Sequence, residues 1–283
     1  MKNYFSSDFK LGVLGGGQLG RMLLAETQKF DIYTILDKSA DAPCAQICNE
    51  FHQGDLLDFD TVYNFGKKVD ILTIEIENIN IDALDKLEDE GLTIYPKPKD
   101  IRIIQNKAQQ KNFYKDHGIP TADFSHYAYV EELKHSYHNS IIDFPFVWKA
   151  TRFGYDGNGV KIVRNFEDLE NLPAGECIVE KLIPFKNELA VIVARNNHGG
   201  VKTYPVVEME FHPEANQVEY VICPARIDKN VADKAREIAL KVADAFDFVG
   251  LLAVEMFQTQ EDIILVNEVA PRTHNSGHYS IEA

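Results

Sequence analysis

Apolar positions in this chain alternate between short runs of strand length and stretches with a helical period. Lys10 to Leu14 is a short apolar strand, followed by the turn Gly15-Gly-Gly-Gln-Leu-Gly20 and a helix with Leu19, Met22 and Leu23 on one side. A second strand, Ile32 to Leu36, ends at Asp37, and another, Val69 to Asn78, carries Glu75 and Glu77 near its C-terminal end. A helix is expected from about Ile81, a linker at Tyr95-Pro-Lys-Pro98, and one helix over Ile103 to Pro120, closed by Gly118. Short strands follow, among them Phe144 to Lys149 and two joined within Glu176 to Arg195. Val231 to Phe246 is amphipathic, with Val231, Ala235, Ile238, Ala239, Val242 and Phe246 on one face. Two apolar runs close the chain, Leu251 to Phe257 and Ile263 onward. The break at Gln258 to Asp262 predicts a β-hairpin between them.

At 283 residues, two domains or one large composite are expected. A content of 45% hydrophobic and 26% charged residues is that of an ordinary globular protein. No apolar run has membrane-spanning length, and Met1 to Asp8 lacks the apolar segment of a signal peptide. Four cysteines in so long a chain make no disulfide framework, and Cys44, Cys48, Cys177 and Cys223 match no zinc pattern, which fits a reduced cytoplasm. The net charge of −15 argues against a nucleic-acid surface. An anionic small molecule would have to meet local clusters of Lys, Arg and backbone N–H.

Such clusters are present. Gly15, Gly17 and Gly20 satisfy GxGxxG between a strand and a helix, and with Asp37 they lay out a dinucleotide-binding unit. The same turn is a general anion cradle, so a nicotinamide oxidoreductase is one reading and a phosphate or carboxylate site another. Period two would put Glu75 and Glu77 on one face, to hold an amine or hydroxyl, unless one of them caps the next helix. Lys107 and Lys111, four apart, could approach a phosphate, although solvated lysines are the commoner outcome, above all for Lys111. Lys149 ends an apolar run, and Gly154, Gly157 and Gly159 follow in a hairpin tip whose N–H groups could close over phosphates. No Gly-Lys-Ser/Thr ends that loop, so it is not a Walker loop, and an ordinary turn is the alternative. Glu180 to Ile183 could face a purine, and Glu188 could hold ribose hydroxyls.

The hairpin carries one carboxylate on each arm, Glu255 and Glu268, with Asn267 beside the second. Burying both without a cation is unfavourable. Mg²⁺ suits them, since it takes one or two protein carboxylates and leaves its other positions to water and phosphate oxygens. Two glutamates on the solvent side of a hairpin are the plainer alternative. Arg272, His274 and Asn275 follow closely and favour a metal–nucleotide site.

Taken together, Gly15-Gly-Gly-Gln-Leu-Gly-Arg-Met22, the Gly154-Tyr-Asp-Gly-Asn-Gly159 loop and Asn267-Glu-Val-Ala-Pro-Arg-Thr-His-Asn-Ser-Gly-His278 resemble the ATP-grasp ligases. Within that family they are similar to the branch that makes N5-carboxyaminoimidazole ribonucleotide in purine biosynthesis. The resemblance runs from about residue 10 to the last residue, and its most specific piece is Ala270-Pro-Arg-Thr-His-Asn-Ser-Gly-His278. It implies an α/β fold: a Rossmann-like pre-ATP-grasp parallel sheet over 1–104, then an α+β ATP-grasp domain over 105–283 with a lid at about 121–185. It also implies an ATP-dependent carbon–nitrogen ligase: bicarbonate is phosphorylated, and carboxyphosphate, or CO₂ released from it, carboxylates the amine of aminoimidazole ribonucleotide.

By match to the family's motifs, Lys107 and Lys149 would meet the phosphates. Gly154, Tyr155, Asp156, Gly157, Asn158, Gly159 and Val160 would form the flap. Glu180, Lys181, Leu182 and Ile183 would form the adenine strap, with Glu188 at the ribose. Glu255 and Glu268 would hold Mg²⁺, with Mn²⁺ as the alternative ion, and Asn267 would stand alongside. Gln18, Leu19 and Glu75, with Tyr155 and Asp156, would meet the ribonucleotide. Arg272, His274 and Asn275 would face bicarbonate or carboxyphosphate.

The family usually has arginine where Lys107 stands, which keeps the charge and loses a bidentate fork. The fit is loose over Tyr204 to Pro213, which bears on His212 as a nucleotide contact. Members also continue into a C-terminal domain that supplies basic residues for the ribonucleotide phosphate and part of a homodimer surface. Truncation is the simplest explanation of an end at Ala283; were this the whole molecule, ATP could still bind while carboxylation would be impaired. Formate-using or biotin-dependent relatives, and a non-catalytic nucleotide-binding module, are the other readings.

Overall fold

A computed structural model describes residues 6, 8–152, 159–211 and 218–281. Its first part is a parallel sheet of β1 (Leu11–Leu14), β2 (Tyr33–Asp37), β3 (Glu50–Gln53), β4 (Ile71–Ile74) and β5 (Thr93–Ile94). The strand order is β3-β2-β1-β4-β5, and every neighbouring pair is parallel. The helices α1 (Gln18–Thr27), α2 (Phe59–Gly66) and α3 (Ile81–Asp89) belong to its crossovers. Asp58 caps α2 by accepting from the Thr61 N–H, and Asn80 caps α3 by accepting from Ala83. Strand order reverses between β1 and β4, so the crevice beyond their C-terminal ends is the natural ligand position. The glycine turn and Glu75 lie there.

Three expectations change in this region. β4 stops at Ile74, so Glu75 and Glu77 stand in the loop beyond it and strand alternation does not align them. Neither caps the following helix, because Asn80 does. Pro98 opens α4 (Pro98–Ile104), so the expected linker already holds a helix start. The single helix expected from Ile103 breaks at Gln105–Asn106: the Asn106 side chain accepts from the Gln109 N–H and caps α5 (Lys107–Asp116). Gln105 instead donates to the carbonyls of Glu77 (2.6 Å) and Ile79 (2.9 Å), tying the helix break to the Glu77 loop.

The second sheet contains β6 (Phe124–Tyr127), β7 (Phe146–Ala150), β8 (Val160–Val163) and β9 (Cys177–Lys181), antiparallel in the order β6-β9-β7-β8. The helices α6 (Val130–His138) and α7 (Phe166–Glu170) contribute Leu133 and Leu169 to a core with Trp148.

The third sheet has six strands: β10 (Phe185–Arg195), β11 (Val201–Thr203), β12 (Val207–Phe211), β13 (Val218–Ile222), β14 (Gly250–Thr259) and β15 (Ile264–Ala270). Helix α8 (Lys229–Ala245) buries its apolar stripe, including Ala235, Ala239 and Val242, against Leu189, Val191, Leu252 and Val254. Ala190, Ile192, Glu188 and Glu255 therefore point to the other face. β14 runs on through Gln258 and Thr259, which are 2% and 8% exposed, so the hairpin loop is shorter than expected. Among the described residues no helix is long and apolar enough to cross a membrane.

Candidate active site

Glu255 on β14 pairs in register with Glu268 on β15, which puts both carboxylates on one face of the hairpin. The register then slips: Met256 opposes Val266, leaving Asn267 as the extra residue of a β-bulge. The bulge lets the adjacent Asn267 and Glu268 side chains both reach lysines. Lys149 Nζ, on β7, donates to Asn267 Oδ1 at 2.8 Å, and Lys107 Nζ, from the first residue of α5, pairs with Glu268 Oε2. The Lys107 ammonium holds Glu268 well below the ordinary carboxylate range, against the opposing effect of burial. Burial pushes Lys107 down, but Glu268 outweighs it and leaves the ammonium above its usual value.

Glu188 lies on the same face, opposite Phe257 and two residues from Ala190, the partner of Glu255. Burial first, then the charge of Glu255, pushes its carboxyl up to about 7. Three carboxylates thus share one face, and the repulsion of Glu255 acts on Glu188 there. Only one oxygen of each hairpin carboxylate is engaged among the described residues, Glu255 Oε1 and Glu268 Oε2. No group of three or more His, Cys, Asp or Glu is placed to hold a metal among them. The second oxygens of Glu255 and Glu268 would fit Mg²⁺ held by two carboxylates, with water and phosphate oxygens completing the shell.

Glu180 is spent on structure. Its carboxylate is 3% exposed, with Lys111 Nζ 3.0 Å from Oε1 and Lys149 Nζ 3.0 Å from Oε2. Burial alone would raise its pKa, and the two lysines overcome that and lower it. Lys111 is correspondingly buried, 2% exposed, and burial brings it down to about 8. The expectation of a solvated Lys111 is wrong because this face of α5 packs on β9. Of the remaining strap, Lys181 is exposed and its N–H donates to Asp123 O (2.9 Å), while Leu182 and Ile183 are half-buried. Gly159 adopts φ +79 and its carbonyl accepts from Ala150, while Val160 opens β8 opposite Lys149. Gly154, Tyr155, Asp156, Gly157, Asn158 and His212 lie outside the described residues.

The glycine turn holds an anion of the protein's own. Gly20 N–H donates to Glu75 Oε1 at 3.2 Å, and a Cβ at Gly17 would stand 2.7 Å from that oxygen. Burial raises the pKa of Glu75, and the Gly20 and Gly17 amides and Arg272 oppose it. Both Asp37 oxygens are occupied, by Gly16 N–H and Ser39 N–H at 2.8 Å each. A dinucleotide would need that cradle for pyrophosphate and that aspartate for ribose. Gln18 is exposed at the start of α1, with Leu19 half-buried beside it.

The turn after β15 joins the two regions. Arg272 Nε donates to Glu77 Oε1 at 2.8 Å, a link that the sequence did not suggest. His274 Nε2 lies 3.0 Å from Glu255 Oε1, and Ser276 N–H donates to Nδ1 at 3.3 Å. A donor at Nδ1 assigns the proton to Nε2, directed at the carboxylate. Asn275 Oδ1 is buried with no hydrogen-bond partner among the described residues.

The "ATP-grasp domain" family model matches residues 112–283, and the "Ribonucleotide synthetase preATP-grasp domain" model matches residues 9–105. The chain is 36% identical to the N5-carboxyaminoimidazole ribonucleotide synthase of Bacillus subtilis, covering 96% of this chain and 72% of that protein. It is also 36% identical to the phosphoribosylaminoimidazole carboxylase of Candida albicans over 96% of this chain, but spans only 49% of that protein. The N5-carboxyaminoimidazole synthase of Aspergillus clavatus, solved in complex with ADP and 5-aminoimidazole ribonucleotide, superposes with a TM-score of 0.87. It is 34% identical, and the match covers 98% of this chain and 73% of that one. The fold and the sequence thus match over nearly the whole chain, which belongs to the ATP-grasp family, in its N5-carboxyaminoimidazole ribonucleotide synthase branch.

Proposed function

We propose that the chain binds ATP between the lid sheet and the six-stranded sheet and uses its γ-phosphoryl to activate bicarbonate for carboxylation of the aminoimidazole ribonucleotide amine. The observation that carries this reading is the convergence of Glu255 and Glu268, in register on one face, with Lys107 and Lys149. The names of the Bacillus and Aspergillus proteins, and the ligands of the latter, support it. The domains are proposed as 1–104 and 105–283, with 121–185 as the lid, and the assembly as a homodimer.

Lys107 and Lys149 would neutralise the phosphates, worth more in a buried cleft than in water. Mg²⁺ on Glu255 and Glu268 would supply further positive charge and orient the phosphates. Glu188 would accept from ribose hydroxyls. Arg272, held by Glu77 through Nε, would present its remaining N–H groups to bicarbonate or carboxyphosphate, with His274 and Asn275 as neighbours. Glu75 in its glycine cradle, with Gln18 and Leu19, would meet the ribonucleotide. The site would lie within one protein interior, which keeps water from a labile acyl phosphate.

Phosphate release from ATP is the test, measured with and without bicarbonate and aminoimidazole ribonucleotide, with ¹³C-bicarbonate to trace the product. Release that requires bicarbonate and rises with the ribonucleotide is expected. Hydrolysis indifferent to both would reject the proposal, and NAD(H) binding would revive the oxidoreductase.

A further inference from the structure

Lys111, Glu180 and Lys149 form a buried row of charges in which one member has no part in the reaction proposed above. Glu180 is 3% exposed, Lys111 2% and Lys149 6%. The two ammonium groups take different oxygens of one carboxylate, each at 3.0 Å. Lys111 is also anchored from behind: its Nζ donates to Thr121 Oγ1 at 2.6 Å, and that hydroxyl donates to Val266 O on β15 at 2.7 Å. Lys149 is held differently. Its second partner is Asn267 Oδ1, beside the proposed metal ligand.

A carboxylate this deeply buried cannot be left alone, because an uncompensated buried charge is strongly destabilising. Were Lys149 its sole cation, turning Lys149 toward a ligand would strand Glu180. With the Lys111 charge 3.0 Å from the other oxygen, that penalty is reduced. We propose that Lys111 is a positioning residue for nucleotide binding: it balances Glu180 so that Lys149 is free to turn its charge to the phosphates. The inference rests on the nucleotide-binding reading above and adds a residue to which that reading gives no role.

In Lys111→Met the single remaining lysine is captured by Glu180. The Kd for MgATP should then rise by about tenfold or more, the scale of one charge-assisted hydrogen bond. The KM for ATP should rise with it, while kcat at saturating ATP changes less. Adding Glu180→Gln removes the trap and changes only a side chain that is 3% exposed, leaving in place the backbone that would face the purine, so Lys111→Met/Glu180→Gln should recover most of the affinity. A merely structural lysine predicts the reverse, since the double variant loses one more buried contact.

The experiment is calorimetric titration of MgATP into the 283-residue chain, wild type and both variants, with thermal melts to establish that each is folded. Weak binding by Lys111→Met and recovery in the double variant support the proposal. A Lys111→Met affinity within about twofold of wild type overturns it, as does a folded double variant that binds no better than Lys111→Met. If Lys111→Met does not fold, the double variant decides: affinity within about threefold of wild type supports the inference, and its loss refutes it. A wild type that binds no MgATP overturns the nucleotide-binding reading and this inference together. Three equal, measurable affinities overturn this inference alone.

Discussion

Replacing Glu188 by glutamine should stabilise the free protein, and only above a defined pH. The carboxyl is raised from its ordinary 4.5 to about 7, first by burial and then by Glu255, with Glu268 adding and Lys149 opposing. A raised carboxyl holds its proton in the folded state at pH values where the unfolded chain has released it. Between those limits the folded state binds more protons, so stability falls as pH rises. From 4.5 to about 7, at about 1.4 kcal/mol per pH unit, the loss amounts to about 3 kcal/mol. Glutamine does not titrate and keeps the shape.

The stability of Glu188→Gln relative to wild type should therefore climb through this window and level off above pH 7. Urea denaturation of both proteins at matched pH values from about 5 to 8 measures the difference directly. The expected gain of about 3 kcal/mol is an upper figure, because water entering the cleft screens the three carboxylates. A difference that stays flat across the series, or that has the opposite slope, would refute the electrostatic reading of this face. A saturating divalent cation with ATP should erase most of the advantage, since the missing positive charge then comes from the ligand. Nucleotide affinity itself should fall in the variant if Glu188 holds ribose.

Glu268→Ala should abolish Mg²⁺-dependent ATP turnover while circular dichroism shows the fold retained; unchanged turnover removes the metal assignment. Gly17→Ala puts a methyl 2.7 Å from Glu75 Oε1, so ribonucleotide affinity should drop at least about tenfold with ATP affinity unaltered. Equal ribonucleotide binding would show that the filled cradle has no part in the substrate site. Asn106→Ala removes the cap of α5 and should cost about 1 kcal/mol in urea denaturation, with a weaker hold on ATP because Lys107 is the next residue. A loss of stability without any change in ATP affinity would separate the cap from the site.

The hairpin carboxylates were legible because an acid within an apolar strand is an anomaly that chemistry must explain. Asn267 was legible as a neighbour but not in its geometry. Strict alternation would have sent it to the face opposite Glu268, and the bulge that reverses this depends on the partner strand. The amphipathic stripe of α8 was readable but for Ala243, since a period of 3.6 needs no tertiary information. On α5 the same reasoning failed. The helix has little apolar content to mark its buried face, and the partner that buries Lys111, Glu180, is far away in sequence. Glu75 and Glu77 were found as a pair and misplaced as one, because the four-residue β4 ends before them. Each then goes to its own partner, the glycine amides and Arg272.

A chain with a net charge of −15 is an odd host for a triphosphate, and the location of its cations resolves the conflict. Exposed charges are screened beyond about 8 Å at physiological salt, so the acidic exterior contributes little at the bottom of a cleft. The cations that the proposed function assigns to the anions, Lys107, Lys149 and Arg272, are each paired with a carboxylate of the protein. These pairings keep the cations in place and desolvated without leaving any of them unbalanced. They also come from separate elements: α5, strand β7, and the turn after β15, whose arginine reaches across to the loop beyond β4. In the proposed function an incoming phosphate would exchange with these carboxylates, and a cation brought with it would balance Glu268 as Lys111 balances Glu180, so that neither buried acid is stranded.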